Sequence, residues 1–165
     1  MITLLSGQKL FSGGFQYARL LATVGHTTLW YTIGAVPAAI LSQPGTSYHF
    51  NEATHAYTII PFRQYTYGAG LSPVGFRAVF GDHWRVKPYF EPSVGFLSFT
   101  RPTPVPLARR FNFEFQFGAG VQLARKKNHA VRTGVMFLHF SNHGTATYNP
   151  GVDSCVVYAS YSFFK

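Results

Sequence analysis

The chain has 165 residues, of which only 12% are charged and 18% aromatic, with 17 Phe and 10 Tyr. A soluble globular domain carries about 25% charged residues, so part of this surface does not face water. The length fits one domain over residues 1–165, and a net charge of +9 favours anionic partners: nucleic acid, acidic lipid head groups or phosphorylated glycolipid.

In chain order, "MITLLSGQKL" lacks the charged start and long apolar core of a cleavable signal, which reads as a mature chain or a misplaced start. A short strand is predicted near residues 2–6, then a loop at 7–14 and a strand over 15–24. After a tight turn at 24–27 comes "LWYTIGAVPAAIL", residues 29–41. A membrane helix needs about 20 apolar residues. This run is shorter, holds Gly34 and Pro37, and is rich in β-branched and aromatic residues, so it reads as a strand over 28–41. A long loop is predicted at 42–66, with its placement relative to any site left open, then a strand over 67–80 and a tight turn at 80–84.

The second half is more regular. "VKPYFEPSVGF" (86–96), "RFNFEFQFGAGVQLA" (110–124), 129–141 and "DSCVVYASYSFF" (153–164) all read as strands. They are joined by a long loop at 100–110, a tight turn at 125–128 that holds Arg125-Lys126-Lys127, and a long loop at 142–152. Tight turns alternating with long loops describe an up-and-down meander. Eight such strands close into an antiparallel transmembrane β-barrel, which removes the unpaired edges of an open sheet. By the convention for bacterial outer-membrane barrels, the tight turns are periplasmic and the long loops outside.

Strict alternation assigns the faces. In 110–124, Phe111, Phe113, Phe115 and Phe117 share one register, and Asn112, Glu114, Gln116 and Gly118 the other. An eight-stranded lumen is filled by side chains and is too narrow for stacked rows of phenylalanine. The phenyl face therefore meets lipid, and Arg77, Lys87, Glu91, Glu114 and Arg132 turn inward, where they can pair.

"FLHFSNHGTATYNPGVDS", residues 137–154, breaks the lipid-facing pattern. Parity counted from Val135 and Phe137 puts His139 and Ser141 on the outer face, and parity counted back from Phe163 puts Asp153 there too. If His139 pairs with Asp153, then Phe137 pairs with Cys155 and Val135 with Val157. Three polar groups then converge on an apolar surface at the outer end of a hairpin. Ser141 is the candidate nucleophile, His139 its general base and Asp153 the group that orients the ring. An oxyanion needs donors as well, and Asn142 and the backbone near Gly144 are the candidates.

The segment resembles the lipid A 3-O-deacylase (PagL) family of outer-membrane barrels. The resemblance rests on His139-x-Ser141-Asn142-x-Gly144, Asn149-Pro150-Gly151 and the acid at Asp153, and on "VKPYFE", "FNFEFQFGAGVQ" and "VRTGVMFLHFSN" upstream. It implies a serine hydrolase without a metal or cofactor, acting on lipid A in lipopolysaccharide, with Ser141 and His139 catalytic and an oxyanion role for Asn142. Where the family carries Glu, this chain carries Asp153, one methylene shorter.

Other readings stand beside this one. A non-catalytic barrel that anchors, adheres or stabilises the envelope gains nothing from three polar groups on its lipid face. A soluble lipocalin-like carrier would extract without detergent. No basic groove or motif supports nucleic acid. The remaining histidines (His26, His49, His55, His83, His129, His143) lack metal-ligand spacing, and His143 lies four residues from His139 at a strand end, not on a helix. Arg101, Arg109 and Arg110 either meet lipid A phosphates or are simply solvated, and the sequence leaves both open. It also leaves a homodimer open.

Overall fold

The computed structural model describes residues 7–81, 83–126, 129–148 and 151–163. The strand read near residues 2–6, the Lys127 end of the basic turn, Asn149-Pro150 and Phe164 lie outside the described residues. Seven strands follow one another: β1 (Lys9–Val24), β2 (Thr27–Asn51), β3 (Ala56–Phe80), β4 (Val86–Phe99), β5 (Phe111–Lys126), β6 (His129–Ser141) and β7 (Val152–Phe163). They form a single antiparallel sheet in sequence order, the predicted meander. The described sheet thus has seven strands where the sequence reading counts eight.

Two boundaries differ from the sequence reading. The predicted loop at 7–14 is strand from Lys9 onward, paired with β2 from Lys9↔Ser42 to Val24↔Thr27. Gly13-Gly14 accommodates a register shift inside the strand. Gly14 approaches β2 so closely that a Cβ there would lie 2.4 Å from the Ala35 carbonyl oxygen.

The larger difference is at 42–66, which is no loop. β2 and β3 run 25 residues each and stay paired from Ser42↔Tyr65 to Asn51↔Ala56. A membrane-spanning strand takes only about 9–11 residues, so this hairpin projects well past its neighbours. Pro44 and Pro61 lie beyond the last described pairs of β1 and β4, at Ser42 and Gly68, so among the described residues both strands of the ribbon are edges. An edge tolerates a missing backbone N–H. At the tip, the Asn51 carboxamide oxygen accepts from the N–H groups of Ala53 and Thr54.

Inside the curve of the sheet, the polar residues lie where alternation places them. Arg77, Glu114 and Arg132 are buried, and Lys87 and Glu91 partly so. Arg77 donates to Glu91 from Nε at 2.5 Å and also holds Gln16, which donates to Glu91 in turn. Tyr89 of β4 meets Tyr158 of β7. Strands three apart in the order therefore touch, which a flat sheet does not allow. The outer end of the interior is apolar: Leu10, Leu41, Leu97, Phe99, Leu138, Phe140 and Val152 form one cluster from five strands. The expectation of a small and polar interior thus holds in the middle and fails at that end, where Phe99 and Phe140 pack at 5.5 Å. The convex face carries exposed apolar side chains from every strand, including Phe15, Ile33, Phe76, Phe90, Phe115, Phe137 and Val157.

Candidate active site

β6 ends at Ser141, and β7 begins at Val152, one residue before Asp153. The backbone register pairs His139 with Asp153, and with it Phe137 with Cys155 and Val135 with Val157, which is the condition the sequence reading sets for bringing the three polar groups together. Direct cross-strand partners have Cβ atoms about 5 Å apart, so the short Asp side chain spans the gap. His139 Nδ1 and Asp153 Oδ1 lie 2.7 Å apart, with the side chains 40% and 55% exposed. A carboxylate only accepts, so Nδ1 carries the proton and donates it to Asp153. In the neutral ring Nε2 then keeps its lone pair.

Ser141 follows two residues along the same face of β6, paired across to Phe113 of β5. Gly151 lies beside both catalytic candidates of that strand. A Cβ on Gly151 would come 2.8 Å from His139 Cε1, 3.5 Å from Nε2 and 3.6 Å from Ser141 Cβ. Nε2 and the Ser141 Cβ thus both lie within 3.6 Å of one point, the space that glycine leaves empty. The structure joins His139 to Asp153 and records no Ser141–His139 hydrogen bond among the described residues. In free enzymes such contacts often tighten only when substrate binds.

Past Ser141 the chain turns under tight control. Asn142 is 1% exposed. Its Nδ2 donates to the Tyr148 carbonyl at 3.2 Å, and its Oδ1 accepts the Gly144 N–H at 3.1 Å. Its own carbonyl accepts from the Thr145 N–H at 3.1 Å and from Oγ1 at 2.7 Å. His143 and Gly144 take φ of 52° and 73°, and the His143 ring meets Phe113 edge-on at 5.9 Å. The two oxyanion candidates therefore bond to each other, and the Gly144 N–H is committed within the turn. From the neighbouring loop, Arg109 Nε donates to the Thr145 carbonyl at 3.1 Å.

Two contacts here are not legible in the sequence. Gly151 enters the sequence reading only through the Asn149-Pro150-Gly151 turn of the family resemblance, without its closeness to the imidazole. Arg109 reads there as either a lipid A phosphate contact or a solvated cation, without its tether to Thr145, 36 residues away in sequence. Among the described residues no three His, Cys, Asp or Glu side chains cluster as metal ligands.

The family model described as lipid A 3-O-deacylase (PagL) matches residues 8–162. Over 94 residues the chain is 34% identical to lipid A deacylase PagL of Pseudomonas aeruginosa, a match covering 53% of this chain and 51% of that protein. The chain thus spans about half the length of the curated relative it matches. A crystal structure of the outer membrane enzyme PagL superposes with a TM-score of 0.62 at 18% identity, covering 96% of this chain and 90% of the other. That likeness concerns the fold. The family match runs from before β1 to one residue short of the end of β7 and takes in His139, Ser141 and Asp153 on the way. On that match, the chain belongs to the lipid A 3-O-deacylase (PagL) family.

Proposed function

We propose that the protein is a serine esterase of the bacterial outer membrane that hydrolyses the ester-linked acyl chain at the 3-position of lipid A. The single observation that carries this reading is the 2.7 Å His139–Asp153 bond on the convex, apolar face, two residues from Ser141. The fold in this reading is one domain over residues 1–165, an eight-stranded barrel in which a strand near residues 2–6 completes the seven described. Lipid surrounds the convex face, so the ester reaches the site laterally from the outer leaflet and needs no tunnel. Lipid A, as part of lipopolysaccharide, and the surrounding outer-membrane lipids are the partners; a second copy of the chain is compatible with this geometry.

The chemistry follows from the atoms available. Ser141 Oγ attacks the ester carbonyl carbon while its proton passes to His139 Nε2. Asp153 holds Nδ1 and offsets the positive charge that forms on the ring. The carbonyl oxygen becomes an oxyanion, which the turn of Asn142 and Gly144 stabilises. For that, the Gly144 N–H exchanges its amide acceptor for the more strongly accepting oxyanion. Collapse breaks the bond to the sugar oxygen, which takes the proton from Nε2. Water, activated by the same nitrogen, then releases the fatty acid from Ser141.

The test is mass spectrometry of lipid A from cells that express the chain behind a working signal peptide, beside Ser141→Ala. Loss of one hydroxyacyl mass with the parent and not with the variant establishes the esterase and its nucleophile. Unchanged lipid A with a folded barrel in the outer membrane favours the non-catalytic barrel instead.

A further inference from the structure

Next to the site, the loop between β4 and β5 and the turn after Ser141 enclose an open groove of about 520 Å³. Phe111, Phe113 and Ala108 form its apolar wall, and Arg109, Arg110 and Thr145 its polar rim. Phe113 is the cross-strand partner of Ser141, so the groove begins one strand away from the nucleophile. Its apolar wall continues the convex face through Phe115 and Phe117.

The arginines leave a fixed backbone. The Arg110 carbonyl accepts the Phe99 N–H at 2.9 Å, and the Arg109 carbonyl accepts the Thr103 N–H at 3.0 Å. The fully buried Asn112 donates Nδ2 to both carbonyls, at 3.5 Å to Arg109 and 3.2 Å to Arg110. Arg109 commits only Nε to Thr145 and is otherwise without a protein acceptor among the described residues. Both side chains are exposed.

Acids are scarce enough to account for one by one. The chain has five: Glu52, Asp82, Glu91, Glu114 and Asp153. Glu91 is paired with Arg77, and Asp153 with His139. Glu114 is buried on the inner face, and Glu52 lies at the tip of the β2–β3 ribbon. Asp82 lies outside the described residues. No described carboxylate neutralises Arg109 or Arg110. Two arginine side chains that line one groove together with an apolar wall match an amphiphile whose head is a phosphate, because each planar fork presents parallel N–H donors to oxygens of an oxyanion.

We infer that this groove binds the phosphate-bearing head of the acylated glycolipid, with Arg110 and Arg109 as its phosphate ligands and Phe111 and Phe113 against its hydrocarbon. This rests on the esterase reading for the orientation of the ligand, but not for its binding. The phosphate on the rim fixes how the sugar lies over Phe113 and hence which ester comes to Ser141. The groove then selects phosphorylated substrates.

Two measurements test the inference. Ser141→Ala protein in detergent micelles is titrated with a phosphorylated 3-O-acylated glucosamine lipid and with its phosphate-free counterpart. The phosphorylated lipid binds about tenfold more tightly, a typical gain for charge-assisted hydrogen bonds. Adding Arg110→Gln brings the two affinities within about threefold, Arg110→Lys retains part of the difference, and Arg85→Gln, at the opposite end of the barrel, leaves it unchanged. In the Ser141 enzyme, the ratio of kcat/KM for the two lipids collapses in step. Equal binding of the two lipids, or a preference that survives Arg110→Gln, overturns the inference. A preference that Arg85→Gln removes as well overturns it too, since long-range charge then suffices. Phosphate-selective binding through Arg110 without any hydrolysis upholds the groove and removes the esterase reading.

Discussion

Two hairpins of the sheet are built in opposite ways. The β2–β3 ribbon continues for about nine residue pairs beyond the described end of β1, with both edges unpaired among the described residues and Tyr48, Tyr57, Ile59 and Phe62 exposed. At its tip the Asn51 carboxamide holds the turn and the Phe50 ring meets His55 and Tyr57. The β6–β7 hairpin stops short at Ser141 and Val152, and its connecting turn is organised by the buried Asn142 and tethered by Arg109. Catalytic groups must hold their geometry to a fraction of an ångström. Where the backbone polar groups are satisfied by buried partners, that precision is available. A free two-stranded ribbon is marginally stable on its own and offers contact area instead.

This contrast predicts a steep gradient of effects. His139→Ala removes the base and lowers kcat on the order of 10⁶-fold, as in hydrolases whose triad acts as a unit, while the barrel still folds, checked by heat-modifiable mobility in gels. Asp153→Asn leaves the cross-strand pairing intact but can present an N–H to Nδ1 and favour the wrong tautomer, for a loss of about 10⁴-fold. Asp153→Glu keeps the charge and recovers activity to within about tenfold of the parent, which a single-turnover assay separates from the Asn variant.

Gly151→Val sharpens the comparison, because the new side chain meets His139 before anything else. A Cβ 2.8 Å from Cε1 displaces the ring, and a misplacement of that order lowers kcat by about 10²-fold. KM and thermal stability change little, so kinetics and a melting curve taken together isolate the effect. The smallest effect belongs to the ribbon. Replacing residues 46–61 by an Asn-Gly turn between Gly45 and Phe62 leaves hydrolysis within about twofold, because projecting tips tolerate truncation. A large loss of activity on that replacement would break the contrast between the two hairpins and make the ribbon part of the site.

What could be read from the sequence depended on the range of the interaction. Period-two alternation in 110–124 set the two faces of β5, and parity carried His139, Ser141 and Asp153 to one face because β6 and β7 contain no register shift. In the N-terminal half, shifts at Gly13/Phe15, Thr32/Gly34, Val36/Ala39 and Leu71/Val74 break parity, and alternation no longer reports the face. The loop expected at 42–66 failed for a related reason: an edge strand tolerates residues such as Pro44 and Pro61, and which strands are edges among the described residues is not a local property.

By itself, then, the sequence determined the strand class, the outward phenyl face, the inward charges and the common face of His139, Ser141 and Asp153, all consequences of side chains alternating along an extended chain. Only the tertiary structure decided the rest. It made 42–66 a paired ribbon, filled the outer end of the interior with Leu10, Leu97, Phe99 and Phe140, and set Gly151 against the imidazole. It also joined Arg109 to Thr145, leaving Arg109 and Arg110 without a described carboxylate partner at the rim of a groove. Each of these depends on where strands end and which loops become neighbours when the sheet curls, and no window along the chain contains that information.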